Sequence, residues 1–187
     1  MRISWQRFPK SAELLALAIA IVVVPIIGLL AYGTWTDFNR SNEEVEISQR
    51  IIDDTNELLA SLKDAETGQR GFLVTAQDRY LDPYRQALTE VPNVLDKLAK
   101  VTDLHRPDQA ERVKRLRPLI QDKLGELRET IEVRQIRGSA AAIAIVETDH
   151  GKAVMDQIRI LCAEIQLAAK QRVMGAHRCD ASASDRR

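Results

Sequence analysis

From Leu14 to Thr36 the chain carries no charged residue, and the run reads LLALAIAIVVVPIIGLLAYGTWT. Its apolar core, Leu14 to Leu30, extends through Ala31 and Tyr32 to make 19 residues. At ~1.5 Å of rise per residue, such a helix approaches the ~30 Å hydrocarbon thickness of a bilayer. Pro25 and Gly28 are tolerated there, because neighbouring groups in a membrane helix satisfy the freed backbone carbonyl. Trp5 and Phe8 on one flank, and Tyr32, Trp35 and Phe38 on the other, suit the two interfaces. Arg2, Arg7 and Lys10 precede the run, whereas Arg40 and Arg50 are the basic residues of the comparable stretch after it. That asymmetry places residues 1–13 in the cytoplasm, 14–36 across the membrane and everything later outside. A cleaved signal peptide is the competing reading, with Ala31-Tyr32-Gly33 as its small-x-small site. The apolar run exceeds the usual ~7–15 residues of such a peptide, which favours an uncleaved anchor.

Beyond the run, residues 37–187 hold 24 Lys or Arg and 26 Asp or Glu, a net of 24 − 26 = −2. That balance argues against a nucleic-acid partner, which would require a basic face. Two cysteines, Cys162 and Cys179, supply no disulfide framework. The apolar residues recur at three- and four-residue steps, the mark of helices packed along a seam. Ile51, Leu58, Leu62 and Ala65 form one stripe, widened by Ile52 and Leu59. A second holds Leu81, Tyr84, Leu88, Val91, Leu95 and Leu98, and a third Val113, Leu116, Ile120, Leu124, Leu127 and Ile131. Val154, Ile158, Leu161, Ile165 and Ala168 make the fourth. No stretch alternates with period two for long enough to be a strand.

The breaks carry helix-end chemistry. Thr75 with Asp78 three residues on resembles a capping box opening the second helix. Pro107 suits the first turn of the third, and Gly138-Ser139 ends it and starts afresh. The expected fold is all-α: an N-terminal transmembrane helix continuous with an antiparallel four-helix bundle over 37–174. Residues 175–187 form a polar tail with no bundle pattern, expected to be disordered.

One segment concentrates unusual residues. Phe72, Tyr80 and Tyr84 are the only aromatics away from the apolar run, and they lie within thirteen residues of each other. Gly68 and Gly71 precede them in a helical pattern, where each costs ~1 kcal/mol relative to Ala. Close approach of a neighbouring backbone is the simplest compensation. Glu66 and Arg70, four apart, can pair on one face. The whole run ETGQRGFLVT-x3-RYLDPY resembles the signature of CHASE-type extracellular sensory domains of the third subclass, from bacterial membrane receptors. A second block, Gly151-Lys152-x-x-Met155-Asp156-x-Ile158-Arg159, is similar to that family's second conserved piece. The resemblance covers roughly residues 37–169. It implies an extracytoplasmic four-helix sensor between two membrane spans, feeding an inner output domain. Ala76 stands where the family commonly has Gly.

Glu66 lies about thirty residues beyond Thr36, or ~45 Å of helix, and the fourth helix begins beside Asp156 and Arg159. Both blocks are therefore expected at the far end of the bundle. Glu66, Arg70, Asp156 and Arg159 would form one polar cluster beside Phe72, Tyr80 and Tyr84. Such a cluster is either a structural clasp or a site for a small polar or anionic ligand. His105, His150 and His177 have no metal-ligand spacing, and no phosphate loop or nucleophile elbow occurs, so no metal, cofactor or enzymatic activity is expected. A fourth helix matching the first would return to the membrane near residue 190, past Arg187. The expected function is thus a membrane-anchored sensory input module lacking its own output domain. Its expected partner is a second copy, a full-length receptor or a kinase. The alternative is a membrane-anchored bundle that only docks or dimerises, with no small-molecule ligand.

Overall fold

The computed structural model describes residues 10–184, with side chains between 19 and 175 except 30, 34 and 36–41. The first nine residues, Trp5 and Phe8 among them, lie outside this range, as do the side chain of Phe38 and those of the tail. Among the described residues five α-helices follow one another: α1 Lys10–Thr75, α2 Asp82–His105, α3 Pro107–Arg137, α4 Ser139–Val146 and α5 His150–Ser184. A 3-10 turn, Asp78–Leu81, joins α1 to α2. The chain divides into two units, 1–43 and 44–187.

Within the first unit, Ile19, Val22, Val24, Ile26 and Leu29 are all exposed. Among the described residues no helix is long and apolar enough to cross a membrane.

The second unit is an up-down-up-down arrangement of α1 from Glu44, α2, α3 and α5. Ser61 donating to Glu90 at 3.3 Å sets α1 antiparallel to α2. Arg117 meets Asp96 at 2.7 Å across the α2–α3 hairpin. Arg112 to Glu164 and Asp108 to Arg172, at 3.5 and 2.9 Å, set α5 antiparallel to α3. Gln166 reaches back to Asn56 of α1 at 2.8 Å. All four stripes enter one core that includes Leu58, Leu62, Leu98, Leu116, Leu127, Ile158 and Ile165.

The seams differ from the apolar reading in an instructive way. In α1 the buried seam runs through Ser48, Ile51, Thr55, Leu58, Leu62, Ala65, Gln69 and Phe72, an unbroken 3–4 heptad alternation, with Ile47, Gly68 and Leu73 buried beside it. In α3 it runs through Gln109, Val113, Leu116, Ile120, Lys123, Leu127 and Thr130, with Ala110 and Ile131 buried beside it. Leu124, assigned to the third stripe, is only half-buried, and Lys123 beside it occupies the seam. Keeping the heptad register through polar residues would have found it.

The helix ends also part from expectation at two places. Thr75 is the last residue of α1, not the cap of α2: its Oγ1 donates to the Gly71 carbonyl at 2.7 Å and accepts from the Gln77 amide at 3.2 Å. The α5 helix runs through Gly175 to Ser184, past the residue at which the sequence pattern of the bundle ends. Pro107 does open α3, and Gly138 at φ +85° separates α3 from α4.

Candidate functional site

The end of α1 folds back on itself because two glycines let it. A Cβ on Gly68 would stand 2.4 Å from the Tyr80 carbonyl oxygen, and one on Gly71 2.7 Å from the Tyr80 ring. The 3-10 turn therefore lies directly on α1, which is the close backbone approach the two glycines imply. Ala76 reverses the chain at φ +55°, its amide donating to the Phe72 carbonyl at 2.8 Å. Arg85 fixes the turn from outside, meeting Asp78 at 2.7 Å and Asp82 at 3.1 Å. Phe72 and Tyr84 are buried in the core, and burial raises the Tyr84 hydroxyl above its ordinary pKa. Tyr80 is exposed and carries the Arg79 guanidinium over its ring at 5.4 Å.

At about 100° per residue, Glu66 and Arg70 lie on the opposite face of α1 from Gly68 and Gly71. There they form an ion pair with each other. Behind them is Lys123, only 2% exposed, with its Nζ 2.9 Å from Glu126 and 4.0 Å from Glu66. Gln69 donates to Thr130 at 2.6 Å, and Arg134 donates through Nε to the Leu73 carbonyl at 2.8 Å. The last turn of α1 is thus tied to α3 by a charged and hydrogen-bonded chain. A buried ammonium between two carboxylates holds its position strongly, because any departure would strand a charge.

The second sequence block enters the same arrangement through its glycine. A Cβ on Gly151 would stand 2.5 Å from the Glu126 carboxylate, so any other residue there would push that carboxylate from its place beside Lys123. A cavity of about 100 Å³ lies between the blocks, lined by Glu66, Arg70, Lys123, Asp149 and Lys152 among others. The two blocks do meet, but not through the residues expected. Asp156 is bonded to Lys152 at 2.9 Å and to Arg159 at 2.7 Å, and those hydrogen bonds lower its carboxyl pKa. Arg159 is 50% exposed and has Asp156, not Glu66, as its partner.

The single polar cluster expected from the sequence therefore resolves into three groups. Glu66 and Arg70 join the buried Lys123–Glu126 pair. Asp156 and Arg159 form a surface pair one turn and more along α5. Phe72 and Tyr84 pack in the core, with Tyr80 on the far face of α1. Lys123, Glu126, Gln69 and Thr130 were missed, because a polar residue in an apolar stripe was read as a gap.

Other groups add little chemistry. His150 lies 3.1 Å from Asp122, both half-exposed. Cys162 is fully buried, and burial pushes its thiol up to about 12, so it stays protonated and unreactive. Among the described residues no group of His, Cys, Asp and Glu could hold a metal ion.

Comparison with curated proteins and with solved structures found no match. The CHASE3 domain family matches residues 41–176, which hold both sequence blocks, the α1–α2 turn and the buried Lys123. On that match, across most of its length, the chain belongs to the CHASE3 family of extracellular sensory domains found in receptors.

Proposed function

We propose that this chain is a membrane-anchored sensory input module, with residues 1–13 in the cytoplasm, 14–36 across the membrane and the helical bundle outside. Its family membership supplies the sensory role. The observation that carries the anchoring is the apolar surface of the first unit. Ile19, Ile21, Val22, Val23, Val24 and Ile27 project around the whole circumference of the helix, and all are exposed. A helix apolar on every side needs an apolar surround, which a bilayer supplies. The three basic residues before it, against two in the comparable stretch after it, set the direction.

The second unit supports pairing with another copy of the chain. Ile160, Leu167 and Met174 are exposed on α5 and recur every seven residues, the spacing at which two helices pack side by side. A dimer joined there places two α5 helices against each other. Leu167→Cys, in a chain carrying Cys179→Ser, should form a disulfide-linked dimer under mild oxidation, and a chain that stays monomeric would exclude this pairing.

Topology is tested by fusing the full chain at Arg187 to a phosphatase that folds only outside the cytoplasm. Activity is the expected result. An inactive fusion, with an active cytoplasmic reporter at the same place, would overturn the orientation and the sensory reading with it.

A further inference from the structure

An open groove of about 500 Å³ runs between α1 and the segment from Arg79 to Glu90, on the face of α1 away from Lys123. Its volume is in the ~300–1,000 Å³ range of small-molecule sites. The antiparallel register orders its walls. Tyr80 stands over Gly71 at one end, Pro83 lies beside Gly68 in the middle, and Ser61 meets Glu90 at the other. Between them the groove has an apolar wall, the Tyr80 ring and Pro83, and charged ends.

Those charges are unpaired in a particular way. Among the described residues Arg79 has the Tyr80 ring as its neighbour and no carboxylate, whereas the nearby Arg85 takes both Asp78 and Asp82. Asp64 has no side-chain hydrogen bond or ion pair among the described residues. Glu90 accepts from Ser61 and from Gln86, both neutral, and has no cation among the described residues. One end of the groove thus offers a free guanidinium and the other two carboxylates without a cation. Asp64 and Gly71 are seven residues apart on α1, which separates the ends by about 10 Å.

We propose that this groove binds an elongated zwitterion of tripeptide size. Its ammonium lies at Asp64 and Glu90, its carboxylate at Arg79, and its central side chain on Tyr80 and Pro83. An extended tripeptide spans about 10 Å, so both ends reach their partners at once. A single amino acid, with its charges on one carbon, reaches only one. The proposal rests on the sensory reading above and names the chemical class that the sensor would recognise.

The test is calorimetric titration of the purified full chain in detergent micelles with trialanine, N-acetyl-trialanine, trialanine amide and free alanine. Trialanine should bind, and each blocked peptide should bind about tenfold or more weaker, the effect of losing one charge-assisted contact. Asp64→Asn should lose the preference for a free ammonium, and Arg79→Gln the preference for a free carboxylate. Both substitutions are at exposed positions and leave the fold intact, which circular dichroism checks. No binding of trialanine, equal binding of blocked and free peptides, or unchanged selectivity in both variants would each overturn the proposal. The phosphatase fusion reads topology independently, so an active fusion without peptide binding removes this ligand and leaves the sensory reading standing.

Discussion

The two ends of the bundle handle buried polar groups in opposite ways. Where α1 meets the 3-10 turn, Lys123, Gln69 and Thr130 are all buried and all partnered, by Glu126 and Glu66 in one case and by each other in the second. Around the α2–α3 hairpin, Ser48, Arg106 and Gln109 are equally buried. There the Ser48 hydroxyl, the Arg106 Nε and both amide atoms of Gln109 have no hydrogen-bond partner among the described residues. Arg106 keeps only its outer nitrogens satisfied, by Glu44 at 2.6 Å and the His105 carbonyl at 2.7 Å. A satisfied polar core fixes one arrangement, whereas an unsatisfied one leaves alternatives close in free energy. The bundle is therefore clasped at the turn end and loose at the hairpin end.

Breaking the clasp should have the largest effect. Lys123→Ala leaves Glu126 buried without its cation, and should cost about 3–5 kcal/mol in urea unfolding of the full chain. A loss below about 1 kcal/mol, the range of exposed ion pairs, would erase the distinction between the two ends. At the hairpin end the expected sign reverses. Gln109→Leu removes two unpartnered amide atoms from a fully buried position, and should raise stability by about 1–3 kcal/mol. Slower amide hydrogen exchange across residues 106–113 would accompany it. A destabilised variant would mean that the amide does have a partner, such as a buried water, and that this end is as well satisfied as the other.

Much of this architecture was legible in the residues, for a physical reason that also explains what was not. Apolar periodicity gave four helices and their order, because Leu58, Leu116 and Ile158 must leave water whatever else happens. Gly68 and Gly71 announced a close contact, because glycine inside a helix is otherwise unfavourable. Periodicity is blind to polar residues on the seam, so Lys123 and Gln109 passed as surface. The Glu66–Arg159 cluster failed differently. Sequence distance put both residues at one end of the bundle, but helix rotation decides which side chains meet, and no partner sequence gives the rotation of α5 against α1. The Gly138-Ser139 break marked where the short α4 begins, but SAAAIAIV has no clear stripe, so it was not counted as a helix of its own.

A smaller effect sharpens the picture of the clasped end. Ala76 adopts φ +55° where α1 stops. A left-handed conformation costs a residue with a Cβ roughly 1–2 kcal/mol, and glycine avoids it at the expense of a more flexible unfolded chain. Ala76→Gly should therefore stabilise by about 1 kcal/mol or slightly less, measured as a rise in the denaturation midpoint. No gain would mean that the turn holds this conformation without strain. The clasp would then be stiff through its ion pairs alone, with no backbone strain stored beside it.

The smallest effect is one of pH, and it concerns the stretch of α1 between the two ends. Asp54 is half-buried there, and desolvation raises its carboxyl pKa, with Lys97 opposing and Glu57 and Asp53 adding to the rise. In the window between the ordinary carboxylate value and this raised one, the folded chain holds more protons than the unfolded chain. Stability therefore falls as pH rises through that window and stays lower above it. Asp156, near the clasp, shifts the other way: its two cationic partners lower its pKa, so its contribution is present at neutral pH and is lost as pH falls through the lowered value. Asp54→Asn should thus melt at a slightly higher temperature than the parent chain at pH 7, with the gap closing as pH drops through the carboxylate range. Asp156→Asn should melt lower at pH 7, and its gap should close on acidification as well. If Asp54→Asn melted lower at neutral pH, the Lys97 attraction would outweigh desolvation, and the middle of α1 would belong with the clasped end and not with the loose one.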